Sequence, residues 1–206
     1  MLNYLFFLIP LIILITNFIF KKKLFLCSYT GNNHQKFANI ENIPLTGGIF
    51  FYLFILLFFF DELFSYHIFL FLIFLIGIFS DLNSIKSANK RFLLQTFTVL
   101  ICVVFNQMSI QNTGIDLLDK ILFYKVFNYI FLTFCILVII NGSNFIDGLN
   151  TLTIGYYISL IFIIFKLDLF QIIGFETFKI VYLLFILVFI FFINFLNKMF
   201  LGDSGS

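Results

Sequence analysis

Little in this chain belongs to a water-soluble protein. Only 11% of its residues are charged, where a soluble domain carries about a quarter. Tryptophan is absent, proline occurs twice, arginine once (Arg91) and alanine twice (Ala38, Ala88). The net charge of +2 leaves no basic footprint, so nucleic acid is not an expected partner. The three cysteines are odd in number, and Cys102 and Cys135 lie inside apolar runs, which excludes a disulfide framework. No Cys/His spacing suggests zinc, and the only histidines are His34 and His67.

What fills the chain instead is apolar. It is 62% hydrophobic with a mean hydropathy of +1.13, and 36 residues are Phe. Phe, Ile, Asn and Lys share A/T-rich codons, so the Phe excess reads as lipid-facing filler from an AT-rich genome. A spanning helix needs about 20 apolar residues. Seven stretches qualify or come close: 2–20, 46–64, 66–80, 92–106, 121–140, 152–167 and 178–195. Unpaired backbone in lipid is costly, so these are expected to be helices. Ten-residue alternating strands are not seen, which disfavours a barrel. The expected fold is all-α, a polytopic helical membrane protein of about seven transmembrane helices forming one membrane-embedded domain over 1–206.

Lys21, Lys22 and Lys23 follow the first run rather than precede it, so that run is no cleaved signal. Basic residues favour the cytoplasmic side. With the N-terminus outside, segments 21–45, 81–91, 141–151 and 196–206 face inward and hold eight of the twelve Lys and Arg. Of the ten acids, Glu41, Asp81, Asp147 and Asp203 fall on that side. Three of them sit where a span begins or ends, beside Gly, Ser or Asn.

Four motifs occupy the same face. NIPLTGGI places Gly47 and Gly48 where backbone can approach something closely. GIFSDLNSIKSANKR closes a span with Asp81 and follows it with Lys86, Lys90 and Arg91, an arrangement able to bind a metal–phosphate complex. NGSNFIDGLN repeats polar residues every third position (Asn141, Asn144, Asp147) before Gly148. Polar groups at membrane depth need a reason, and helix capping would use only one of them. FLGDSGS carries Asp203 in a turn that can offer backbone N–H groups to an anion. The GDSG of trypsin-like proteases is a false likeness, since those proteins are soluble β-barrels.

Carboxylates suit Mg²⁺, neighbouring cations suit a polyphosphate, and a membrane setting suits a lipid co-substrate. The implied chemistry is phosphoryl transfer between a soluble diphosphate and a lipid. A transporter is the rival reading, but transporters place their polar sites near the midplane, and these lie at helix ends.

The order GGI, GxxxD with Arg91 and Gln95 downstream, NxxNxxDG and FxGDxGS resembles the polyprenyl-phosphate N-acetylhexosamine-1-phosphate transferases, of the glycosyltransferase family 4 type. Relatives include the phospho-N-acetylmuramoyl-pentapeptide and undecaprenyl-phosphate N-acetylglucosamine-1-phosphate transferases. The resemblance implies transfer of a sugar-1-phosphate from a UDP-N-acetylhexosamine to polyprenyl phosphate, with release of UMP. It implies Mg²⁺, or Mn²⁺ in its place, a bacterial inner-membrane location with the site facing the cytoplasm, and room for a homodimer. By position, Asp81, Asp147 and Asp203 would be catalytic, with Asp203 and Asp81 as metal ligands. Asn141, Asn144, Gly148, Lys90, Arg91, Gly47 and Gly48 would bind substrate. The glycan, whether peptidoglycan, lipopolysaccharide or another, is not implied.

Three departures stand out. Ser80 occupies the first of two adjacent acidic positions in the family. Asn150 and Thr151 replace Asp and Gly after the DGL motif. The chain ends at Ser206, where family members continue, so a fragment is expected, and an inactive truncated member is a further alternative.

Overall fold

The computed structural model describes residues 2–28, 43–146, 151–167, 169 and 174–205, with side chains in the first helix from residue 8 onward. Among these residues the chain is helical apart from one small ribbon, in which Cys27–Ser28 pairs antiparallel with Ile43–Pro44. The helices are α1 (Leu2–Lys23), α2 (Gly47–Phe58), α3 (His67–Asp81), α4 (Ala88–Phe105), α5 (Asp116–Leu122), α6 (Lys125–Ile146), α7 (Leu152–Lys166) and α8 (Thr177–Phe195).

Each of the seven apolar stretches overlaps one of these helices, but several boundaries move. Phe64–Asp81, Ala88–Phe105, Lys125–Ile146 and Thr177–Phe195 are long and apolar enough to cross a membrane. The chain is a multi-pass membrane protein. α2 and α7 are apolar but short, at 12 and 15 residues. α2 stops at Phe58 rather than running to 64, because Asp61 and Glu62 require water and a turn there feeds α3 directly.

The largest shift is at α6, expected over 121–140. Residues 116–122 form α5, an amphipathic helix of seven residues that periodicity over so short a length does not reveal. Asn128 then ties the connection together. Its side chain donates to Ile110 O (2.8 Å) and Leu122 O (2.9 Å) and accepts from Ile110 N (2.9 Å). α6 therefore starts late and continues to Ile146. Asn141 and Ser143 bond back to Leu137 O and Ile140 O, both at 2.9 Å, so these polar side chains are accommodated within the helix they were expected to follow.

Packing falls into two joined halves. α8 packs against α7, α2 and α1 around a core that includes Phe54, Ile154, Ile186, Ile190 and Ile13. α4 packs against α3 and α6 around Val99, Val103 and Leu137. α2–α3 and α6–α7 contacts join them, with Tyr52 stacked on Phe74 at 4.3 Å. Lipid is as apolar as leucine, so the hydrophobic effect does not press these helices together; close van der Waals fit and polar contacts do.

The helices alternate in direction, so their ends sort into two groups. One end gathers residues 17–28, 43–48, 80–91, 141–146, 151–153 and 194–205, from the segments that the charge bias groups on one face.

Candidate active site

The site is built at that end, where the C-terminal turn is caught between α2 and α3. Gly47 N donates to Phe200 O (2.9 Å), Gly48 N to Leu201 O (3.0 Å) and Phe200 N to Pro44 O (2.9 Å), so residues 199–201 run alongside 44–48 by main-chain bonds. Only glycines permit this approach. A Cβ on Gly48 would collide with the backbone of Ser204 and Gly205, and one on Gly77 would sit 2.5 Å from Asp203 O. The partner that Gly47 and Gly48 admit is therefore the turn that carries Asp203.

Asp81, at the C-terminus of α3, fastens the same turn. Asp203 N donates to its Oδ1 (2.8 Å) and Ser204 N to its Oδ2 (3.2 Å). Gly202 has φ +74, and a Cβ there would lie 2.7 Å from Asp81 Oδ2. Both requirements make glycine the fitting residue at 202.

Asp203 points elsewhere. Its Oδ2 accepts from Ser80 Oγ (2.5 Å) and pairs with Arg91 Nη1, which also donates to Ser80 Oγ (3.2 Å). Arg91 and Asp203 side chains keep 23% and 33% of their exposure, so the pair is reachable from water. Ser80, in the position of a family acid, thus acts as a donor to Asp203. An aspartate there would set a second negative charge against the first.

A layer of buried polar residues supports this end. Asn17 Nδ2 donates to Lys198 O (2.8 Å), and its Oδ1 accepts from Thr46 Oγ1 (2.9 Å), with Thr46 fully buried. Asn194 Nδ2 donates to Met199 O (2.9 Å), and its Oδ1 accepts from Thr151 N (2.7 Å). Thr151 precedes α7 in the left-handed region at φ +68, an unfavourable conformation for a β-branched residue. The family's glycine would meet that conformation without strain. Sequence reading missed Asn17 and Asn194; the available signal was an amide set deep in an otherwise apolar stretch.

The structure thus joins Asp81, Asp203, Arg91, Gly47 and Gly48 with Ser80, Gly77 and Gly202. Lys90 is exposed beside them on α4. Asn141 and Asn144 lie half-buried on the last turns of α6, at the same end of the bundle, and Asn141 bonds its own helix. Asp147 and Gly148 lie outside the described residues. Among the described residues no group of three or more Asp, Glu, His or Cys side chains could hold a metal. The fit to Mg²⁺ rests on Asp203, a half-exposed carboxylate. That is sufficient in kind, because Mg²⁺ commonly takes one or two carboxylates and completes its shell with water and substrate phosphate. Each Asp81 oxygen, expected to serve a metal, accepts a backbone N–H group, from Asp203 and Ser204.

Fold and site together define a multi-pass membrane protein with a carboxylate, a guanidinium and a tightly held turn at one bundle end. The model of glycosyl transferase family 4 matches residues 63–206, more than half the chain. The chain belongs to that family, whose members transfer sugar phosphate to polyprenyl phosphate. Gly47 and Gly48 precede the matched region and meet it through the turn. No curated protein and no solved structure gives a significant match.

Proposed function

We propose that the chain moves a sugar-1-phosphate from a UDP-N-acetylhexosamine to undecaprenyl or another polyprenyl phosphate, releasing UMP at the cytoplasmic face of a bacterial inner membrane. The observation that carries this reading is Asp203, held on a turn locked between two apolar helices and paired with Arg91 of α4, in a family 4 chain. An oxygen of the lipid phosphate attacks the sugar-bearing phosphorus of the UDP-sugar. A new P–O bond forms, the bond to the bridging oxygen breaks, and UMP leaves with that electron pair.

The nucleophile needs no strong base. A phosphate monoester has a second pKa of about 6, so at neutral pH it is largely dianionic. Ser80 cannot be a carboxylate base, and this chemistry does not ask it to be. Arg91 offers a planar donor fork suited to phosphate oxygens, and exposed Lys90 adds a point charge. Asp203 would hold Mg²⁺, with Mn²⁺ as a substitute, and Asp147, Asn144 and Asn141 are the candidates for the nucleotide-sugar. Mg²⁺, when bound, supplies positive charge to the diphosphate oxygens.

Membranes containing the protein, given a UDP-N-acetylhexosamine, undecaprenyl phosphate and Mg²⁺, should release UMP and form a lipid-linked sugar diphosphate. Asp203→Asn should abolish both products. Full activity in that variant would end the assignment, and uptake of substrate into vesicles without UMP release would favour a transporter.

A further inference from the structure

We propose that Asp81 is a positioning residue rather than a metal ligand: it clamps the backbone of the 202–205 turn and so sets where Asp203 stands. Three observations converge on this. Both Asp81 oxygens accept main-chain N–H groups, from Asp203 and Ser204. Gly202 lies so close that a methyl group there would be 2.7 Å from one oxygen and 3.0 Å from the other. Gly77, one turn before Asp81 on α3, presses on the Asp203 carbonyl and Ser204. The carboxylate is thus roofed by the turn it holds. A carboxylate has other lone pairs, but here each oxygen is engaged by the main chain it holds.

The two acids therefore divide the work by direction. Asp81 faces the main chain, while Asp203 faces Ser80, Arg91 and solvent. Ser80 completes the division, because its hydroxyl steadies Asp203 without adding charge. The clamp is a property of the fold, whereas its purpose in turnover rests on the transferase reading.

Asp81→Asn tests it beside Gly202→Ala, which disturbs the clamp from the other side and leaves every carboxylate in place. In purified protein, amide exchange in peptides containing 203–204 should rise at least about tenfold in both variants, since the main-chain bonds to the Asp81 carboxyl are weakened in one and displaced in the other. Mn²⁺ binding, followed by electron paramagnetic resonance, should weaken no more in Asp81→Asn than in Gly202→Ala, and far more in Asp203→Asn. Turnover per folded molecule should fall in both clamp variants by about tenfold or more, with little change in KM for the UDP-sugar.

Asp81→Asn losing Mn²⁺ as completely as Asp203→Asn while Gly202→Ala keeps it would overturn the proposal. So would unchanged exchange, or faster exchange with undiminished turnover. Wild-type protein that binds no Mn²⁺ would count against the metal in the transferase reading, and exchange would then decide the clamp alone. Should Asp81→Asn not fold, the Gly202→Ala exchange result decides.

Discussion

The two ends of the helix bundle solve the problem of polar groups beside lipid in different ways. At the end that holds Asp203, several side chains bond to main chain far away in sequence: Asn17 to Lys198, Asp81 to Asp203 and Ser204, Asn194 to Thr151. At the opposite end the side-chain bonds to main chain span fewer residues, as from Asn128 to Ile110 and Leu122, and a long-range contact is an ion pair. Thr113 N and Oγ1 both donate to Asp119, six residues on. The hydroxyl first, then the N–H, hold that carboxyl below the usual range. Lys179 pairs with Glu62 and lies 3.9 Å from Glu176. Backbone–carboxylate bonds fix position to a fraction of an ångström, which a reacting group needs. Lysine pairs tolerate movement, which a connecting loop can accept.

Substitutions that separate these strategies should differ in size. The largest effect is expected from Gly48→Ala, whose methyl group would meet the backbone of Ser204 and Gly205 rather than a flexible side chain. Overpacking costs about 1–3 kcal/mol, sometimes more, so the thermal midpoint in detergent should drop by roughly 5–10 °C, with loss of activity. Asn194→Ala strands Met199 O and Thr151 N, and should cost about 1–3 kcal/mol by the same melting experiment. Thr151→Gly reverses the sign. Relief of the left-handed strain should raise stability by about 1 kcal/mol, and a fall would show that Thr151 contributes packing that outweighs its backbone cost.

The smallest effect belongs to the opposite end. Burial alone would raise the Glu62 carboxyl, but the hydrogen bond and charge of Lys179 outweigh it and hold it below its usual range. A carboxyl lowered by folding adds stability above its unfolded pKa of about 4.3, and loses it as pH falls through the folded value. Glu62→Gln should therefore lower the melting temperature by only about 2–4 °C at neutral pH, and the gap to wild type should close on acidification. A gap independent of pH would assign the effect to packing.

Much of the fold was legible because hydropathy is additive along a chain. Each apolar run overlaps a helix, and the majority of the lysines, with Arg91, lie in the segments that gather around Asp203. α5 was not legible, being seven residues long and moderately polar. The extension of α6 through Asn141 and Ser143 was hidden too, because each side chain bonds backbone within its own helix, an outcome that composition does not distinguish from a loop. At the site, span topology set Asp81, Asp203, Gly47 and Gly48 on one face, and the structure places them in contact around one turn. Topology could not show which of them face the main chain and which face solvent. Whether a carboxylate faces the main chain or solvent depends on partners more than a hundred residues away, and Ser80 read as a loss until its contact with Asp203 was visible.

The ribbon of 27–28 and 43–44, with 199–201 bonded alongside, also has a meaning in time. A growing chain inserts its helices in order, and the bonds at the opposite end need only nearby residues or α8. The bonds of Asn17 to Lys198, Ser80 to Asp203 and Arg91 to Asp203 close across 181, 123 and 112 residues. None can form before residues 198–205 have been made. The end that holds Asp203 is thus assembled only once the turn after α8 exists, and until then Asp81, Arg91, Gly47 and Gly48 lack the partners that shape them.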